Sequence, residues 1–156
     1  NAIYTPAACI QATLAVAEKT NFPLNRLIFE ITETEKVKDT LFLKNIVEEY
    51  KKQGFQTAID DFGSGYAGLN LLSEFQPDII KIDMELVRDI DKKDVNKILL
   101  DSIIKVCHAL NITIIAEGIE TIEEMTTLKN MGIKLHQGFL YARPAFESLP
   151  APIYPD

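Results

Sequence analysis

The sequence predicts an α/β protein whose strands line part of a (β/α)8, TIM-barrel-like wall: a fragment of about five βα units. Three observations carry this expectation. Helical and strand patterns alternate strictly along the 156 residues. The strand segments are short apolar runs without polar alternation, which marks parallel strands covered on both faces. Each run also ends, at its C-terminal end, in polar residues: Glu30 and Glu33, Asp60 and Asp61, Lys81 and Asp83, Glu117, and Gln137. In a barrel, strand ends from the whole circumference converge on one site. In an open sheet they separate by about 4.8 Å per strand, so five decorated ends would outspan a small ligand. A five-stranded doubly wound sheet would also fit the length, but convergence favours the barrel, which needs about 250 residues when whole.

The elements follow in order. Residues 6–19 place apolar side chains at helical spacing, with Thr5 as N-cap and Pro6 at the first helical position. LIFEIT (27–32) reads as a strand, and 37–53 as an amphipathic helix closed by Gly54. Strand 56–60, a glycine loop and helix 66–75 come next. Strand 78–83, helix 93–110, strand 112–117, helix 119–131 and strand 134–141 complete the alternation. Residues 1–149 form one domain. The tail, 150–156, carries three prolines and reads as irregular.

Composition narrows the function classes. The chain is 47% hydrophobic and 25% charged, close to soluble globular averages, so a disordered or fibrous chain is not expected. No apolar run approaches the roughly 20 residues that span a bilayer, and no basic-then-apolar leader opens the sequence. Sixteen basic against 23 acidic residues give a net charge of −7, which disfavours a broad grip on polymeric nucleic acid. A small phosphate ligand would need local positive charge, such as a metal ion. Cys9 and Cys107 lie far apart in apolar helical patterns, which fits buried thiols in a reducing cytoplasm rather than a disulfide or zinc site.

The chemistry concentrates in AIDDFGSGY (58–66), where adjacent carboxylates follow a buried strand and precede a glycine-rich turn. Side chains in a strand alternate, so both serve one site only where the strand is ending. On their own they fit helix capping equally well. Glu30 in LIFEITE and Glu117 in IIAEGIE change the balance, because four acidic groups on adjacent strand ends repel one another unless a cation intervenes. All-oxygen ligands suit Mg²⁺ or Mn²⁺. Two such ions about 3.5–4 Å apart form a clamp for phosphoester hydrolysis. Lys81, a cation embedded in IIKID, either pairs with Asp83 or orients a water and stabilises a phosphate oxygen. Neighbouring metal ions would lower its pKa. His108 reads as a core-packing helical residue, and His136 as pointing away from Gln137.

FEITE (29–33), DDFGSGY (60–66), KID (81–83), AEGIET (116–121) and QGFLYARP (137–144) together resemble the EAL-domain family of cyclic di-GMP phosphodiesterases. The blocks share that family's order and spacing across nearly the whole chain. The resemblance implies a modified TIM barrel that hydrolyses cyclic di-GMP to linear pGpG with two Mg²⁺ or Mn²⁺ ions. It implies that Glu30, Asp60, Asp61 and Glu117 serve the metals, with Asp60 bridging. It further implies that Lys81 contacts the nucleophilic water and that Asp83, Glu120 and Gln137 support the site. Glu33 would anchor the loop containing Phe62, Gly63, Ser64 and Gly65, through which dimerisation is coupled to metal binding.

Two family features are missing from these residues: the Glu-Ala-Leu signature of the first strand and the asparagine ligand of the next. The resemblance therefore implies a chain that begins part-way into the domain and is inactive alone. A degenerate module that binds cyclic di-GMP or a protein without hydrolysis is the main alternative, and an unrelated barrel aldolase or phosphatase is a weaker one. The opening NAIYTPAACI has a faint likeness to members attached to blue-light flavin sensors, implying an upstream sensor domain. Leu69, Leu71 and Leu72 on the 66–75 helix read by themselves as packing against the barrel, and the family resemblance makes them a candidate homodimer surface.

Overall fold

The computed structural model describes residues 6–32, 40–65, 68–74 and 76–155. Glu33, the Thr5 cap and the side chains of Cys9 and Leu69 lie outside the described residues. The elements are α1 (Pro6–Thr20), β1 (Ile28–Thr32), α2 (Thr40–Lys52), β2 (Gln56–Phe62), α3 (Gly68–Glu74), β3 (Ile79–Ile82), α4 (Met84–Val87), α5 (Asp94–Ala109), β4 (Thr113–Ala116), α6 (Ile122–Asn130) and β5 (Leu135–His136). A 3-10 turn, Leu24–Arg26, leads into β1.

The five strands are parallel and lie in the order β1-β2-β3-β4-β5. A doubly wound sheet reverses its order at a switch point. Strictly sequential order with right-handed crossovers instead puts the helices on one face, leaving the other as the inside of a barrel wall. This settles the choice between architectures. Ile59, Phe62, Ile80, Ile82, Ile114 and Ala116 pack on that helical side with Leu100, Ile104 and Cys107 of α5 and Met125 and Leu128 of α6. On the inner face, Ile28 and Leu135 remain 42% and 48% exposed on the two edge strands.

A second cluster holds β1 to its helices: Phe29 stacks 4.4 Å from Tyr50 and 5.0 Å from Phe55, centroid to centroid, beside Ile10. Gly54 ends α2 at φ +90°, a left-handed conformation that favours glycine. Cys107 is a buried free thiol, pushed up to about 11 by burial, and so is chemically inert.

Several expectations need correction. Strand 56–60 runs on to Phe62, carrying both aspartates inside it. Strand 134–141 is only Leu135–His136, because Gly138 then folds against the Ile119 backbone so closely that a Cβ there would collide with its N and O. The alternation invoked for His136 and Gln137 ends with the strand, and both border one cleft. His108 is exposed in the last turn of α5 rather than in the core. Leu72 is buried and Leu71 packs against the same core, so these two leucines serve the sheet rather than a free surface.

Candidate metal and phosphate site

The site forms where β1 to β4 end. Its central device is an irregularity in β2. Ile59 pairs with Ile80 and Phe62 with Ile82, so Asp60 and Asp61 together oppose Lys81. Two residues facing one is a β-bulge, which re-aims side chains beside functional sites. Asp61 supplies the bend at φ +54°, a region that aspartate tolerates better than most residues. Ile59 and Phe62 on either side stay fully packed. The bulge thus frees both carboxylates from strict alternation without breaking the core. The sequence signal was the Asp-Asp pair itself, but nothing local specified a bulge rather than a strand end.

Lys81 is the hub. Its Nζ lies 2.9 Å from Asp60 Oδ1, 2.9 Å from Glu117 Oε1 and 3.1 Å from Glu30 Oε2, linking β1, β2, β3 and the end of β4. The lysine side chain is 10% exposed and those of Asp60 and Glu117 are 21% and 15% exposed, whereas that of Glu30 on edge strand β1 is 45% exposed. Asp61 completes a second grouping: ligand oxygens of Asp60, Asp61 and Glu117 lie within 4.8 Å of one another. Three carboxylates at that spacing match the hard-oxygen donor set that Mg²⁺, Mn²⁺ or Ca²⁺ prefers.

Electrostatics separate the members. Burial alone would lower the lysine's pKa, but hydrogen bonds to Asp60, Glu117 and Glu30 outweigh it, and the ammonium is held well above its ordinary range. The expected lowering is therefore not what the protein's own groups produce. Burial pushes Asp60 upward, but Lys81 and the Asp61 N–H, which donates at 3.1 Å, hold it below the usual aspartate value. Glu117 is shifted upward by its burial and by the charge of Asp60, against the pull of Lys81.

The remaining expected residues occupy different stations. The Asp83 side chain caps α4, accepting from the Glu85 N–H at 2.7 Å, rather than pairing with Lys81. Glu120 and Gln137 border a cleft of about 780 Å³ that also includes His136, Gly138, Phe139 and Tyr141. The Arg143 guanidinium sits 4.4 Å from the Phe139 ring centroid. Gln137 is tied to β4 by its backbone, its N–H donating to Ala116 and its carbonyl accepting from Ile119. Phe62 is core, while Gly63, Ser64 and Gly65 form an exposed turn; the Ser64 hydroxyl donates to the Asp61 carbonyl at 2.8 Å. Glu33 lies outside the described residues. Nothing local in the sequence marks Arg88 and Glu124, whose side chains bind the Glu120 carboxylate and the Glu120 N–H respectively.

Known proteins share this fold. The family model described as EAL domain matches residues 1–144. A standalone versatile EAL protein from Vibrio cholerae O395, solved with cyclic di-GMP bound, superposes with a TM-score of 0.92 at 49% identity, covering 98% of this chain and 65% of that one. Klebsiella pneumoniae BlrP1, in a manganese and cyclic di-GMP complex, gives 0.83 at 39% identity, over 88% of this chain and 35% of its own. The Escherichia coli K12 cyclic di-GMP phosphodiesterase PdeR is 37% identical over 83% of this chain and 20% of its length. BluF, the blue light- and temperature-regulated antirepressor of the same strain, is also 37% identical, over 84% and 32%. The chain thus spans a minor part of these two curated relatives, and no described helix is long and apolar enough to cross a membrane. On the match of the family model and the shared fold, this chain belongs to the EAL-domain family.

Proposed function

We propose that this chain supplies the metal-binding and water-orienting face of a site that hydrolyses cyclic di-GMP to linear pGpG. The observation that carries the reading is the convergence of Lys81 on Asp60, Glu117 and Glu30 from neighbouring strands. Asp60, Asp61 and Glu117 would hold divalent cations, Mg²⁺ or Mn²⁺, with Glu30 completing the set from β1. Bound cations supply Lewis-acid stabilisation of the charge that develops on the phosphodiester.

The chain's own residues do the rest. Lys81, held as an ammonium by its three partners, acts as a donor: it orients the attacking water and hydrogen-bonds a phosphate oxygen as charge builds there. It is not a base. Asp60, Asp61 and Glu117 would hold the cations that supply this stabilisation, and Glu120 and Gln137 would hold the nucleotide in the adjoining cleft. Water adds across one P–O bond of the ring, leaving one phosphomonoester and one hydroxyl. Glu33 and the turn at Phe62 to Gly65 would couple this site to a homodimer, and an upstream sensor, of the blue-light type that BluF's name suggests, would drive it.

The sheet as described leaves Glu30 on an open edge, 45% exposed. A site with one wall open to water holds its groups loosely, and a misplacement of about 1 Å costs roughly a hundredfold in rate. The 156 residues alone are therefore expected to release negligible pGpG and to associate through their unpaired edges. Light scattering and a pGpG assay test both halves. In the intact protein, Asp60→Asn and Glu117→Gln should each abolish pGpG release with the fold kept. Activity within about threefold of wild type at saturating Mg²⁺ would refute their roles, since loss of a ligand charge is worth at least tenfold.

A second reading is a binding module without hydrolysis, favoured by the equal identity to an antirepressor. Tight cyclic di-GMP binding without any pGpG would select it.

A further inference from the structure

Beneath the cleft, one buried carboxylate joins the two connections that follow β3 and β4. Glu124, 1% exposed, accepts the Asp89 N–H on Oε1 at 2.9 Å, and the Glu120 and Thr121 N–H groups on Oε2 at 2.9 and 3.2 Å. Asp89 sits at φ +55°. The same glutamate completes a capping box with Thr121 that starts α6. With three backbone donors on its two oxygens, Glu124 is fixed in place as an anion.

Arg88 is placed between that fixed anion and a second carboxylate that faces the cleft. Its Nη2 donates to Glu120 Oε1 at 2.9 Å, while Nη1 stands 3.7 Å from Glu124 Oε1. A guanidinium is planar and its donors keep a rigid fork geometry, so the charge attraction of one arm to Glu124 favours the orientation in which the other donates to Glu120. The Glu120 side chain is 43% exposed and borders the cleft beside Gln137. Without the arginine, Glu120 would face buried Glu124 with no counter-charge between them, and it would swing into solvent.

We propose that Arg88 is a positioning residue for Glu120, holding that carboxylate on the cleft wall as an acceptor for the N–H and O–H donors of a nucleotide ligand. The inference rests on the functional reading above, because it is that reading which makes the cleft the ligand site. It adds a second residue of the β3–α5 connection, beside Met84, to the support of a wall otherwise built by the segments that follow β4 and β5. Arg88 touches neither the metal carboxylates nor the cleft itself, so its effect should appear in ligand affinity and not in cation affinity.

The test is a double-mutant cycle in the intact protein with Arg88→Met, which keeps the apolar stem, Glu120→Gln, and both together. Cyclic di-GMP affinity is measured by calorimetry in Ca²⁺, Mn²⁺ affinity by electron paramagnetic resonance, and amide exchange over 117–121 by mass spectrometry. The expected result is cyclic di-GMP binding weakened about three- to tenfold by Arg88→Met, unchanged Mn²⁺ binding, faster exchange at 117–121, and a double variant no weaker than Glu120→Gln. Arg88→Lys, which keeps the charge but not the fork, should recover only part of the loss. Additive effects of the two substitutions, or an Arg88→Met protein that binds as wild type, overturn the inference. If wild type binds no cyclic di-GMP, the functional reading fails instead. Amide exchange then decides the present point: unchanged rates in Arg88→Met overturn it, and faster rates confined to 117–121 support the bridge.

Discussion

Replacing Lys81 with methionine removes the ammonium that three carboxylates share, while leaving a side chain of similar length in the wall. Asp60 and Glu117, 21% and 15% exposed, are then left facing each other without compensation. Breaking a buried ion pair by deleting one partner costs about 3–5 kcal/mol. The Glu30 arm, 45% exposed, adds at most about 1 kcal/mol. Relief comes from protonation of Glu117, already shifted upward by burial and by Asp60, and from the apolar methionine stem. The net loss should be about 2–4 kcal/mol in EDTA, or roughly 4–16 °C in Tm for a domain of this size.

Two dependences distinguish this from a general packing defect. A carboxyl whose folded pKa is raised contributes stability that is present below its unfolded pKa and lost as pH rises through the folded value. The deficit of Lys81→Met should therefore be smallest in acid and grow as pH rises past Glu117's elevated pKa. Saturating Mn²⁺ should also restore more stability to the variant than it adds to wild type, because a cation in wild type competes with the lysine for the same oxygens. Thermal melts by circular dichroism, with and without Mn²⁺ across pH, read both effects. Turnover of the intact protein should fall about a hundredfold or more even when Mn²⁺ binding is kept. An unchanged Tm in EDTA, or a deficit independent of pH and Mn²⁺, would refute the charge-compensation argument.

Gly138→Ala forces a Cβ into the Ile119 backbone, so the cleft-lining segment must shift; a loss of about 1–3 kcal/mol is expected by urea unfolding, and a fully stable variant would show that the loop yields at no cost. Glu124 is held below the ordinary glutamate range because three backbone N–H groups and Arg88 outweigh the upward push of its burial. Its stabilisation is thus present above the unfolded pKa and lost as pH falls through the folded one. The stability gap between wild type and Glu124→Gln should accordingly narrow toward acid, and a gap independent of pH would contradict this assignment.

Much of this protein was legible from sequence because its signals are local. Strict alternation of apolar strands and amphipathic helices fixes an α/β class, and Pro6 and Gly54 mark helix ends from within a few residues. The polar strand ends Glu30, Asp60, Lys81 and Glu117 stood out because a continuous apolar run has no reason to end in charge unless something uses it. These are the residues the fold brings together.

What tertiary structure decided is everything that depends on a neighbour far along the chain. The bulge at Asp60 and Asp61 exists because Phe62 must reach the core opposite Ile82 while Asp60 meets Lys81, a constraint set by β3. Strand β5 stops after two residues because Gly138 meets Ile119. The Lys81 partners are Asp60, Glu117 and Glu30 rather than Asp83, because Asp83 is spent on the α4 cap. Arg88 and Glu124 carry no local signal in sequence, and only the packing of two crossover connections brings them together. Periodicity records which face a residue lies on, and contact across the sheet determines what that residue can do there.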